Sequence, residues 1–112
     1  MDDLEGAKVK MDSFVVAAQP TDFALYENYP NPLNPCTDIK YQIPISVPTT
    51  LKVYNILGQE VRTLVDGVRE PGFYTVTWDG RDCFCNDASS GVYFYRIEAG
   101  DFIQTKKMLL LK

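Results

Sequence analysis

In Asp38-Ile39-Lys40-Tyr41-Gln42-Ile43 every second residue is apolar. That is the period of a half-buried strand, and it sends Ile39, Tyr41 and Ile43 to the core. Leu51 and Val53 repeat the pattern opposite Lys52, as do Tyr74, Val76 and Trp78 opposite Phe73, Thr75 and Thr77. Residues 92–97 depart from it, being apolar on both faces apart from Arg96. Such a run predicts a central strand whose outer face is covered by a loop or a partner. Continued along the chain, the reading gives seven strands: residues 24–28, 37–43, 50–56, 60–66, 73–78, 91–98 and 102–111. The last stays apolar through Met108-Leu109-Leu110-Leu111, where a domain end is usually polar and frayed, so it is expected to be built into the core.

The turns between these runs carry their own chemistry. Asn55-Ile56-Leu57-Gly58-Gln59 has the form of a type I turn closed by a left-handed glycine. Asp66-Gly67 and Gly100-Asp101 supply positive-φ positions for two further hairpins. Residues 28–35 contain Pro30, Pro32 and Pro35, which cannot join a central ladder, so this segment is expected to be an ordered surface crossover. Residues 79–90 form the longest loop. Met1-Asp2-Asp3 reads as the start of an excised fragment, and residues 1–20 as a linker or the remainder of a preceding domain, with Phe14–Ala18 able to add an edge strand. Residues 21–112 form one domain. Seven strands at this rhythm predict an all-β, seven-stranded antiparallel immunoglobulin-like sandwich.

Composition narrows the function. The chain has 112 residues, 46% of them apolar, enough for one real core. No stretch approaches the ~20 apolar residues of a transmembrane segment, and no charged-then-apolar leader opens the chain. The net charge is −4 with no cluster of bases, which argues against nucleic acid. The absence of histidine removes the commonest general base and the commonest zinc ligand. The serines therefore lack a partner, and Cys83 and Cys85 lack an activating base, so no enzyme is expected, and no cofactor. Asp79, Asp82, Asn86 and Asp87 bring oxygen ligands together, yet without the order of a calcium-binding loop; Asx-rich turns need no metal, and no metal site is assigned. Tyr26, Tyr29, Tyr54, Phe73, Phe84 and Trp78 raise a carbohydrate-binding alternative, against which stands the need of a small sandwich for aromatic core residues.

Cys36, Cys83 and Cys85 are too few for a thiolate zinc site without other ligands. Their odd number allows one disulfide and a free thiol, or three reduced thiols. If the strands alternate in direction, Cys36 before the second and Cys83 and Cys85 after the fifth gather at one end. A bond from Cys36 to Cys83 or Cys85 is then within geometric reach.

Several strings recur together in one known family. Asn28-Tyr29-Pro30-Asn31-Pro32-Leu33-Asn34-Pro35 precedes the strand Ile39–Pro44, and Leu51–Val61 follows. Then come Gly72-Phe73-Tyr74, Trp78-Asp79-Gly80-Arg81-Asp82, Ser90–Tyr95 and Thr105-Lys106-Lys107-Met108. In this order they resemble the C-terminal sorting domain of proteins exported by the type IX secretion system, and the related Ig-like domain of the flagellar hook-capping protein. The resemblance runs from about Phe23 to Lys112. It implies a non-catalytic domain carried behind a covalently linked N-terminal cargo domain, read by outer-membrane secretion machinery, and secreted or attached to the cell surface by way of the periplasm. It further implies sorting-signal candidates at Gly72, Tyr74, Lys106, Lys107 and Lys112. The family pattern lacks the cysteines of the long loop. Set beside these readings, Gly72 permits a turn after Pro71, Tyr74 packs inside, and terminal lysines guard an edge against aggregation. An Ig-like structural or assembly spacer is the alternative function, and a carbohydrate-binding module the second.

Overall fold

The alternating runs fold as strands where the pattern puts them. In the computed structural model, which describes residues 19–33 and 36–111, the elements are β1 (Ala24–Leu25), β2 (Thr37–Ile43), β3 (Val47–Tyr54), β4 (Glu60–Arg69), β5 (Gly72–Trp78), β6 (Gly91–Ala99) and β7 (Phe102–Leu110). They form two antiparallel sheets, ordered β1-β2-β5 and β4-β3-β6-β7. The chain changes sheet after β2, after β4 and after β5, whereas β3–β4 and β6–β7 are hairpins. The result is an all-β, seven-stranded Ig-like sandwich.

The inner faces supply the core. Ile39, Ile43, Leu51, Val53, Trp78, Tyr95 and Ile97 are fully buried, each contributing roughly 1.5–3 kcal/mol of transfer free energy. Trp78 meets Tyr93 edge-on at 5.4 Å, and its indole N–H donates to the Arg81 carbonyl at 2.9 Å. As expected, β6 is central, between β3 and β7. Its outer-face Val92 and Phe94 are half-buried and line open grooves beside Ile56.

Three details differ from the sequence reading. β1 covers two residues only, because the chain beyond it leaves the ladder and touches β2 again at Tyr26 and Tyr29. β3 begins earlier, at Val47, and takes in Pro48. The missing proline N–H is harmless there, since the β6 ladder starts one residue later, at Thr49. No hairpin forms at Asp66-Gly67 either. Gly67 (φ +151°) lies within β4, paired with Thr49, and the chain passes through Glu70-Pro71 to the other sheet. Gly58 and Gly100 do sit at their turns with positive φ, +80° and +58°.

The register places Thr37 opposite Trp78, so Cys36 and the loop after β5 share one end of the sandwich with the end of β7. The disulfide from Cys36 to Cys83 or Cys85 is nevertheless not formed: all three cysteines are free and exposed. Cys36 leads into β2 of the three-stranded sheet. Cys83 is drawn to the four-stranded sheet, its N–H donating to the Val61 carbonyl at 3.1 Å.

Candidate functional site

The final strand is fastened by the proline-rich crossover. Leu33 is fully buried and forms a parallel bridge with Leu110. Its N–H donates to the Leu109 carbonyl (2.9 Å) and its carbonyl accepts from Leu111 N–H (3.2 Å), while Asn31 Oδ1 accepts from Leu109 N–H (3.1 Å). Three hydrogen bonds thus close the outer edge of β7 where Met108 and Leu110 enter the core. The start of the crossover is pinned as well. Tyr95 donates its hydroxyl to the Tyr26 carbonyl (2.8 Å) and accepts from Asn28 N–H (3.0 Å), and Thr37 Oγ1 donates to the Pro30 carbonyl (2.9 Å). Burial pushes the Tyr95 hydroxyl up to about 12, so it stays neutral and able to donate.

Lys106 and Lys107 point to opposite faces of β7. Lys106 pairs across the ladder with the buried Tyr95 and turns inward, its Nζ 3.1 Å from Glu27 Oε2 and its side chain 21% exposed. Lys107 pairs with Phe94 and is exposed on the outer face, without an ion pair among the described residues. Lys112 lies outside the described residues.

Gly72 and Tyr74 sit at the other end, where β5 begins opposite Ile43. The Tyr74 ring folds back over Gly72, so that a Cβ there would meet it at 3.4 Å, and its hydroxyl donates to the Glu70 carbonyl at 2.6 Å. The ring also stacks on Tyr41 at 5.2 Å. The hydroxyl bond recurs at Gly91-Val92-Tyr93, where Tyr93 donates to the Ser89 carbonyl at 2.7 Å, although there the ring does not lie over the glycine. Both are tyrosine corners reaching four residues back. The second was missed in the sequence, although its Gly-x-Tyr spacing is the same and could have revealed it. The structure therefore separates Gly72 and Tyr74 from Lys106 and Lys107.

The end that holds the fastened strand also presents two matching turns. Asn55 Oδ1 accepts from the N–H groups of Leu57 (2.9 Å) and Gln59 (3.0 Å), and Gly58 N–H donates to the Asn55 carbonyl. Asp82 Oδ1 accepts from Phe84 (2.9 Å) and Asn86 (3.0 Å), and Cys85 N–H donates to the Asp82 carbonyl. An open groove of about 480 Å³ lies between them, lined by Gln59, Val61, Cys83, Phe84, Ala88 and Tyr93 among others. Ile56, Leu57 and Phe84 stand exposed at the tips. The carboxylates considered for calcium are engaged locally: Asp79 receives Arg62 Nη1 and Arg81 N–H, both at 3.0 Å, and Asp87 faces Arg81 Nε at 3.5 Å. No group of three acidic or thiol side chains converges on a metal position among the described residues. Of the aromatics weighed for sugar stacking, Trp78 is buried, while Tyr29, Phe73 and Phe84 are exposed on separate segments. Among the described residues, the chemistry available here is recognition by apolar tips and by the exposed ammonium group of Lys107.

Two facing sheets with these crossings define the immunoglobulin-like class of β-sandwich. Residues 37–101 match the FlgD Ig-like domain, and the chain belongs to that family. No curated protein sequence matches it. Among solved structures it is similar to dimeric latent PorU from Porphyromonas gingivalis, with a TM-score of 0.63 and 15% identity, over 76% of this chain and 9% of that one. It is also similar to PorZ, a surface component of the type IX secretion system of the same bacterium, with a TM-score of 0.55 and 18% identity, over 80% of this chain and 11% of that one. The chain thus spans about a tenth of the length of these structures, and the likeness is one of fold.

Proposed function

We propose that the domain is a non-catalytic sorting module that directs a covalently linked cargo through the type IX secretion system to the cell surface. The observation that carries this reading is the fastening of β7: Asn31 and Leu33 hold residues 109–111, so the segment with the candidate signal is displayed on a rigid frame. The fold likeness to PorU and PorZ supports it. Lys107 is the candidate contact, exposed beside the apolar Val92 and Leu109. Outer-membrane machinery would read this folded surface, with no bond made or broken by the domain. Fusion of residues 21–112 to a periplasmic reporter in a type IX-competent cell is expected to export the reporter, and replacement of Lys107 and Lys112 by alanine to retain it. Deleting the strand would remove Met108 and Leu110 from the core, so the substitutions are the cleaner test. Undiminished export of the folded substituted fusion would overturn the reading. The family match, which ends at Asp101 before β7, favours a second reading as an Ig-like spacer; such a module would export nothing.

A further inference from the structure

The sandwich has four edge strands, and they are guarded unequally. β1 is two residues long. β4 carries Glu60, Arg62, Asp66 and Arg69, and its pairing with β3 is broken by register shifts between Leu51 and Lys52 and between Val53 and Tyr54. β7 carries Lys106 and Lys107 and is closed at its end by Asn31 and Leu33. Short strands, charges, bulges and covering loops are the usual means of preventing edge-to-edge pairing. Among the described residues β5 has none of them. It reads Gly72-Phe73-Tyr74-Thr75-Val76-Thr77-Trp78, without a charge or a proline, and runs in seven unbroken pairs with β2. Among the described residues no hydrogen bond joins its outer backbone edge to another segment. Its inner face is also unfinished: Tyr74 and Val76 are half-buried, whereas their partners on β2, Tyr41 and Ile39, are 3% and 0% exposed.

We propose that the β5 edge is a pairing surface for a second copy of this chain. The strand is self-complementary. In an antiparallel, two-fold pairing centred on Thr75, Phe73 lies opposite Thr77 of the partner subunit and Tyr74 opposite Val76 of the partner subunit. All are aromatic or β-branched residues, which form favourable cross-strand pairs, and no like charges meet. An isologous contact of this kind closes on itself and makes a continuous six-stranded sheet, β1-β2-β5 running into its symmetry mate. The acidic net charge of the whole chain opposes association at a distance, so a weak, reversible dimer is expected.

Sedimentation of the full chain over a concentration series tests this, and does not depend on whether the domain is a sorting signal. The expected result is a reversible monomer–dimer equilibrium. Thr75→Glu sets an acidic side chain opposite Lys40 within the monomer, which supports the fold, but opposite its own copy across the two-fold axis. It should weaken dimerisation at least tenfold with an unchanged circular dichroism spectrum. Mixing it with Thr75→Lys should restore association as a heterodimer. A parent chain that stays monomeric at all concentrations, or a Thr75→Glu chain that dimerises as tightly as the parent, would overturn the proposal.

Discussion

The turns at Asn55–Gln59 and Asp82–Asn86 share the same hydrogen bonds and differ in the residue that closes them. Gly58 closes the first at φ +80°, and Cys85 closes the second at φ +66°, a backbone region that suits glycine and strains other residues. The first turn joins two strands of one sheet. The second lies within a crossover between sheets and is held from outside by Cys83 N–H on Val61 and Ala88 N–H on Gly80, at 3.1 and 2.8 Å. In both, the geometry is dictated by the Asx side chain at the first position. What the closing residue decides is strain, and the crossover turn tolerates it because its neighbours hold the backbone in place.

The largest effect on this pair should come from Gly58→Val. A β-branched residue at φ +80° is expected to cost ~1–2 kcal/mol. For a domain of this size that lowers the melting temperature by roughly 4–8 °C per kcal/mol, readable in a thermal unfolding scan. An unchanged midpoint would show that the hairpin can leave the left-handed region. Next, Asn55→Ala and Asp82→Ala each remove an acceptor for two backbone N–H groups, and each should cost about 1 kcal/mol in urea titrations because the turns are exposed. If only one substitution registers, the two turns are not built on the same principle. The smallest change is a gain. Cys85→Gly removes left-handed strain of ~1–2 kcal/mol while raising chain entropy worth ~0.5–1 kcal/mol, for a net stabilisation of ~0.5 kcal/mol. A loss of stability instead would mean that the Cys85 side chain holds the loop.

The strands were legible because alternation is a local signal. Ile39, Tyr41 and Ile43, and Tyr74, Val76 and Trp78, all turned to the face their spacing assigns. The Gly58 turn was legible for the same reason. Gly67 misled because a glycine after an aspartate looks alike at a turn and inside a strand; only the continuation of β4 to Arg69 before the chain passes to the other sheet distinguishes them, and that is a tertiary fact. Lys106 and Lys107 read as one basic element, although period-two geometry alone already implies that adjacent side chains part company. That Lys106 finds Glu27 depends on where the chain after β1 runs, which spacing does not reveal. The role of Asn31 and Leu33 was hidden for the same reason: their partners lie at the far end of the sequence.

That distance bears on how the domain comes to be folded at all. Asn31 and Leu109 are 78 positions apart, and Leu33 has no partner strand until Leu110 arrives. A chain emerging from its N-terminus can form the β3–β4 hairpin early, but Leu33 and Tyr95 keep an exposed flank until β7 is delivered. Long-range closures of this kind are slow, since loop entropy is lost before any contact rewards it. The flank around Leu33 and Tyr95 therefore stays open to protease or chaperone until β7 pairs with β6. The far-apart partners of the crossover thus make the closing of this edge one of the last contacts the domain can form.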